Sequence, residues 1–242
     1  NEKVFQNTGK MLERYNVINL NLEDGGAADS GDDTYTQCGQ GSGPANAGPG
    51  EGLYNIASLD LDDDGEPDAE DSDCGELPYL TLEKEHLSTV STGVNCYDVS
   101  YYILVENSGG AEGEYDLTDN PDFDDDFTYE SAIFTTDAVG NPGGSLPTGT
   151  STYVLANDQS IAASKVDSFT ITIGVCIDLE DAGSEGDEMY DGCGSETPGD
   201  PTNGEGLFNE AFLDTNNDGV NDQQAEACDD VPYIVLEKTF GS

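Results

Sequence analysis

Residues 96–107 read CYDVSYYILVEN, with Val99, Tyr101, Ile103 and Val105 at every second position. That period lines up one apolar row on one face of a strand, whereas helix faces recur at a longer interval. The run 165–179, KVDSFTITIGVCIDL, does the same with Phe169, Ile171, Ile173 and Val175. Shorter stretches of the same kind are PYLTLEKEH (78–86), GEYDLTD (113–119), DFTYESAIFTT (126–136), STYVLA (151–156) and GLFNEAFLD (206–214). Asn-Ser-Gly-Gly, Asn-Pro, Asn-Pro-Gly-Gly and Pro-Thr-Gly segments break the chain between them. No long stretch repeats at helical period, so the pattern predicts an all-β sandwich.

The chain also repeats itself on either side of this region. GEGLYNIASLDLDDDGEPDAEDSDCGELPYLTLEK (50–84) returns as GEGLFNEAFLDTNNDGVNDQQAEACDDVPYIVLEK (204–238), each residue 154 positions on. A repeat of that length is domain-sized and indicates tandem modules rather than a short-period solenoid. The expected organisation is the back half of a first module over 1–81, a complete module over 82–235, and the opening strand of a next module or a donor strand over 236–242. About seven short strands suit immunoglobulin-like sandwiches, although the chain has no Trp and so lacks the antibody-type Cys–Trp–Cys core. The chain begins at Asn1 without a signal-peptide pattern, which leaves either a removed leader or a segment of something longer. Two accounts of the incomplete copies stay open. One is an excerpt from a longer covalent array, the other a subunit completed by strands from its neighbour. In both, the partners are copies of the chain or adjacent modules, head to tail.

Six Lys+Arg against 52 Asp+Glu leave a net charge of −46. Such self-repulsion opposes compaction unless cations or salt offset it, and it excludes nucleic acid as a partner. A solvated acidic surface accounts for part of the charge, and bound divalent cations would offset more of it. With 35% apolar residues in alternating runs the chain can bury ordered cores. No apolar run approaches the roughly 18 residues of a membrane-spanning helix.

Six cysteines without a CxxC pattern point to an oxidising, extracellular or cell-surface setting. Cys38 and Cys74 in the first copy match Cys193 and Cys228 in the second, which predicts the bridges Cys38–Cys74 and Cys193–Cys228. Cys96 and Cys176 fall on the even-numbered faces of their strands, opposite the apolar rows, so a bridge between them would join neighbouring strands across an outer face. Zinc binding or free thiols are the alternatives. Each bridge would stabilise by roughly 2–4 kcal/mol.

Each repeat carries an acidic turn. In the first (60–71), Asp60, Asp62, Asp64, Asp68 and Asp71 place oxygen atoms at the spacing of a calcium loop, with Gly65 for the sharp turn and the Glu66 carbonyl next. Calcium suits this because it takes roughly six to eight hard oxygen ligands in a flexible shell. The second (214–226) keeps Asp214, Asn216, Asp218, Gly219, the Val220 carbonyl and Asp222, but its last position is Ala225, leaving Glu226, water or another segment to complete the shell. Weaker calcium affinity is expected there. The first turn through Cys74 also resembles the thrombospondin type-three calcium repeat, D-x-D-x-D-G-x-x-D-x-x-D-x-C.

The order Tyr101-Tyr102-Ile103-Leu104-Val105-Glu106-Asn107-Ser108-Gly109, Asp116-Leu117-Thr118-Asp119, an F-T-I-T-I strand and Asn209-Glu210-Ala211-Phe212-Leu213 resembles the conserved-repeat sandwich domain of bacterial surface proteins. Asn55-Ile56-Ala57-Ser58-Leu59 supplies its last element in the first copy. The resemblance covers most of 80–213 and part of 12–59, and implies a non-catalytic, immunoglobulin-like stalk or adhesin module, often in arrays. The acidic insert at 180–205 departs from the family's short form.

Catalytic signatures are lacking: there is no phosphate-cradling Gly loop and no G-x-S-x-G elbow. His86 stands alone and reads as a satisfied residue. Lys84 and Lys238 fall in phase with apolar neighbours, so each either snorkels its amine past the sheet edge or is joined to an Asn or Asp side chain as an amide. The expected function is a structural subunit or segment of a calcium-stabilised fibre, stalk or filament. The alternative is a calcium-dependent adhesin or carbohydrate-binding module contacting a surface glycan or protein, with Tyr97, Tyr102 and Tyr190 as candidate contacts.

Overall fold

The computed structural model describes residues 53–61, 65–123, 126–149, 152–177, 193 and 206–231, all within one compact unit, Thr34–Ser242. Among the described residues there are eleven strands and no helix. They are β1 (Leu53–Leu59), β2 (Ala69–Gly75), β3 (Leu80–Gly93), β4 (Cys96–Asn107), β5 (Gly113–Pro121), β6 (Phe127–Thr136), β7 (Gly144–Ser145), β8 (Tyr153–Ile161), β9 (Lys165–Ile177), β10 (Asn209–Asp214) and β11 (Gln223–Ala227). β1 and β2 form a hairpin of their own. The rest build a five-stranded sheet, β3-β4-β9-β6-β7, and a four-stranded sheet, β11-β10-β5-β8. Every described pairing is antiparallel.

The period-two rows become the core. Val99, Tyr101, Ile103 and Val105 of β4 and Phe169, Ile171, Ile173 and Val175 of β9 are buried, and they share one cluster with Tyr115 and Leu117 of β5, Tyr153 and Leu155 of β8, and Ala211 and Leu213 of β10. Two sheets thus bury their apolar faces against each other, the sandwich solution for antiparallel strands. β4 occupies the residues its alternation predicts, and it pairs with β9 from Cys96↔Cys176 to Asn107↔Lys165. β2 (AEDSDCG) and β11 (QQAEA) have no apolar row and were not expected as strands. Each forms because it is the return arm of a hairpin, where backbone pairing replaces side-chain burial as the reason for an extended chain.

Cys96 and Cys176 are directly opposite in the β4–β9 ladder and form a disulfide on the face away from the core, Cα atoms 4.0 Å apart. Cys193 and Cys228 are also joined, with Cα atoms 5.9 Å apart. Cys74 is disulfide-bonded, and its expected partner Cys38 lies outside the described residues. No described cysteine is free.

The turn after β4 is fastened by Asn107. Its Oδ1 accepts the N–H groups of Tyr79 (3.2 Å) and Gly109 (3.0 Å), and its Nδ2 donates to the Ala111 carbonyl at 2.8 Å and faces that of Ile161 at 3.2 Å. The segment entering β3 is thereby tied to the β4–β5 turn, reinforced by Ser108 N–H donating to the Tyr79 carbonyl at 2.9 Å. Gly109 permits this approach, because a Cβ there would stand 2.4 Å from both Leu77 O and Tyr79 N. Both obstacles are backbone, so Gly109→Ala is expected to destabilise the fold by about 1–3 kcal/mol, as overpacking does. A shift in the urea unfolding midpoint measures it.

Candidate functional site

The two acidic turns close two hairpins of matching register, Leu59↔Ala69 and Leu213↔Gln223. In the second turn, Asp214 accepts the N–H of Gly219 at 2.8 Å and of Asn216 at 3.1 Å. Asn216 accepts from Asp218 N–H at 3.0 Å, and Asp218 from Val220 N–H at 2.8 Å. Asp222 accepts from the Thr215 N–H and hydroxyl at 2.8 and 2.6 Å, and donates its own N–H to the Leu213 carbonyl at 2.8 Å. The first turn repeats three of these contacts: Gly65 N–H to Asp60 at 3.0 Å, Leu61 N–H to Asp68 at 2.7 Å, and Asp68 N–H to the Leu59 carbonyl at 2.8 Å. Gly65 and Gly219 stand at φ 91° and 83°, the left-handed region that glycine adopts without cost.

These bonds orient the oxygens without exhausting them, since a carboxylate offers about four lone-pair sites. Burial pushes the Asp214 carboxyl up, but the N–H groups of Asn216, Gly219, Asn217 and Asp218 together outweigh it and hold the group below its ordinary value. A charged, hard-oxygen donor is thus kept ionised at the start of the turn. Asn217 Nδ2 docks the turn on β8 by donating to Asp158 Oδ1 at 2.9 Å. Beside it, a cleft of about 320 Å³ is lined by Glu112, Glu114, Thr215, Asn216 and Asn217.

Asp62 and Asp64 lie outside the described residues. Glu66 and Val220 follow the turn glycines at matching, exposed positions. Asp71 stands on β2 opposite Ala57, and Glu226 on β11 opposite Glu210, whose carboxyl is pushed up by its own burial and then by Glu226. Asp71 is three residues past Asp68, about 10 Å along an extended strand. Among the described residues no three His, Cys, Asp or Glu side chains converge as a metal group, and one of the central donors of the second turn is the neutral Asn216. Its donors are nonetheless all oxygen, which fits calcium rather than a thiophilic ion.

A second polar constellation lies inside the sandwich. Lys84 pairs with Ile103 across β3–β4 and therefore faces the core, which corrects the expectation that its amine snorkels out. Its side chain and that of Asp119 are both fully buried and form an ion pair through Nζ and Oδ1. Asn209 Nδ2 donates to the other oxygen, Asp119 Oδ2, at 3.0 Å. Nζ also lies 5.2 Å from the centre of the Tyr101 ring. Burial lowers the Lys84 pKa, and the adjacent Asp119 only partly offsets this. Asn209 Oδ1 and the Tyr153 hydroxyl are buried without a hydrogen-bond partner. The partners of Lys84 carried a signal in the sequence: Asp119 is in phase with Tyr115 and Leu117, and Asn209 with Ala211 and Leu213.

His86 is satisfied by Thr89 Oγ1 at 3.0 Å and Asp229 at 3.2 Å, with its ring edge-on to Tyr101. Tyr97 packs against the core and Tyr102, five residues on, belongs to the opposite face of β4, so the two do not form a patch. Tyr190 lies outside the described residues.

No family model and no curated protein matches the chain. Among solved structures, it is similar to a GH20 exo β-N-acetylglucosaminidase from Vibrio harveyi in complex with N-acetylglucosamine, at 18% identity, over 67% of this chain and 19% of that one, with a TM-score of 0.19. The chain thus spans about a fifth of that enzyme's length, and the score is too low to bear on fold or activity. No helix among the described residues is long and apolar enough to cross a membrane, and the disulfides fit an oxidising compartment.

Proposed function

We propose that the chain is a non-enzymatic segment of a calcium-stabilised extracellular fibre or stalk built from immunoglobulin-like modules. One comparison within the molecule carries this reading. In the second repeat Leu207, Asn209, Ala211 and Leu213 are wholly buried in the sandwich. Their equivalents in the first repeat, Asn55, Ala57 and Leu59, are exposed, Leu59 by 52%, and Leu53 is half-buried. The β1–β2 hairpin has the sequence and register of a sandwich edge but is hydrogen-bonded to neither large sheet. An adjacent module or a second copy would supply the sheets that its apolar residues fit.

Asp60, Asp62, Asp64, Asp68 and the Glu66 carbonyl would hold calcium in the first turn, and Asp214, Asn216, Asp218, Asp222 and the Val220 carbonyl in the second. Calcium there would neutralise repulsion in a chain of net charge −46 and stiffen the hairpin that leads from one module into the next. Glu112 and Glu114 line the same cleft as Thr215, Asn216 and Asn217 of the second turn, so they would be further carboxylates for completing its shell beside Glu226.

Binding to the folded form alone stabilises by about 2.7 kcal/mol at a hundredfold excess over Kd. Calorimetry is therefore expected to show a calcium-dependent rise in Tm that EDTA reverses and Asp214→Asn reduces. Electron microscopy with millimolar calcium and after chelation tests the assembly. Straight filaments that bend or dissociate without calcium support the reading, and compact particles indifferent to chelator refute it.

A further inference from the structure

We propose that Lys84 and Asn209 are joined by an amide bond formed by the protein itself, with Asp119 as the proton-transferring group. The bond would staple β3 of the five-stranded sheet to β10 of the four-stranded sheet through the middle of the core.

The geometry assembles every component of the reaction. The nucleophile is the Lys84 amine, fully buried against Asp119 Oδ1. The acceptor is the Asn209 carboxamide, held by its Nδ2 on the other oxygen of the same carboxylate at 3.0 Å. One carboxylate therefore bridges amine and amide, which brings the two within the span of a single side-chain head. The amide's own oxygen is buried without a partner, so the atom that must take up a proton as Cγ is attacked is uncommitted. The side chains of Lys84 and Asp119 have no exposure, Asn209 is wholly buried, and the buried Tyr101 ring lies against the amine, so water does not compete for the carbonyl.

Burial favours the neutral amine, which is the nucleophilic form. Within the ion pair, transfer of one proton from Lys84 Nζ to Asp119 converts two buried charges into an amine and a carboxylic acid. A half-turn of the Asn209 amide presents Oδ1 to that acid. Nζ then attacks Cγ while Asp119 protonates Oδ1. Asp119 next takes a proton from the Nζ of the tetrahedral adduct and delivers one to Nδ2, the Cγ–Nδ2 bond breaks as Oδ1 returns its proton to Asp119 and the carbonyl re-forms, and ammonia leaves. One C–N bond forms and one breaks, no electrons are exchanged, and no further reactant is required. Asp119 is left in its acid form beside a neutral amide, so the product buries no ion.

The test is the intact mass of the full chain after denaturation, reduction and alkylation. The wild type is expected one ammonia lighter than its sequence mass. Asn203-Gly204 could lose ammonia by succinimide formation, so the assignment requires a branched peptide containing Lys84 and Asn209 in tandem mass spectrometry. Lys84→Arg and Asp119→Ala are expected at full mass. Asn209→Asp is expected to lose water instead of ammonia. Asn55→Ala, which alters the equivalent position of the first repeat, is expected to keep the ammonia loss. A wild-type chain at full mass, or a branch at Asp119 formed with loss of water, would overturn the proposal, and neither depends on any variant folding.

Discussion

Asp119→Ala is expected to leave the sandwich about 3–5 kcal/mol less stable than the uncross-linked form with the Lys84–Asp119 ion pair intact, the range for removing one member of a buried ion pair. The reason is not the loss of an attraction as such. The Lys84 side chain has no exposure, and without Asp119 its ammonium loses its ion-pair partner and keeps the face of Tyr101 and the charge of Glu210. It must either stay charged in an apolar core or give up its proton, and both cost free energy. Asn209 Nδ2 loses its acceptor at the same time, joining an Oδ1 that already lacks a donor. Replacing all three together, Lys84→Met with Asp119→Leu and Asn209→Leu, is expected to recover most of the loss, because an apolar triad of similar volume leaves nothing unpaired. Neither variant can form the proposed Lys84–Asn209 bond, so the difference between them isolates the penalty for stranded polar groups. Reversible urea unfolding gives both values. Equal stability of the single and triple variants would show that water reaches the site.

The same triad shows how far the sequence is legible. Alternation locates β4 and β9 and names their buried faces, since a row of Val, Tyr and Ile at period two has one physical use. The same alternation marks Lys84, Asp119 and Asn209 as polar residues in core-facing phase on three separate strands. What alternation lacks is the sheet order that brings β3, β5 and β10 together, because β5 pairs with β10 and not with its chain neighbour β4. Lys84 alone reads as a residue that escapes to solvent. With its partners in place it is one corner of a closed arrangement.

The acidic turns were legible as turns and less so in their exits. A twelve-position calcium template assumes that the chain leaves the turn as a helix and curls its last carboxylate back. Here it leaves as a strand, β2 or β11, which carries Asp71 and Glu226 away from the turn at about 3.3 Å per residue. Nothing apolar in AEDSDCG or QQAEA announces a strand. Each is extended because Asp68 N–H and Asp222 N–H return to the Leu59 and Leu213 carbonyls and start a ladder. In β11 the side chain of Gln223 extends the pairing sideways, donating to the Leu80 carbonyl at 2.6 Å and accepting from Leu82 N–H at 3.0 Å. A polar strand is thereby tied to the edge of the opposite sheet without apolar burial.

Removing the Cys96–Cys176 bridge as a double alanine variant is expected to cost about 4.5 kcal/mol, from the entropy of closing an 80-residue separation in the unfolded chain. The shorter Cys193–Cys228 separation of 35 residues gives about 3.8 kcal/mol by the same relation. The two cysteines of the longer loop are already opposite each other in a continuous ladder, so the native state changes little and the effect falls on the unfolded chain. That makes it sensitive to any other closure of the same chain. Residues 96 and 176 both lie between Lys84 and Asn209, so a Lys84–Asn209 amide would already hold them near each other when the protein unfolds. The disulfide would then contribute less, by about 0.5 kcal/mol if the loop-closure relation is applied to the shortened path. Stability measured with and without the bridge, in the wild type and again in Lys84→Arg, reads this coupling directly. A larger cost of losing the bridge in the Lys84→Arg background is the expected result, and equal costs in both would mean that the two strands are not covalently joined through the core.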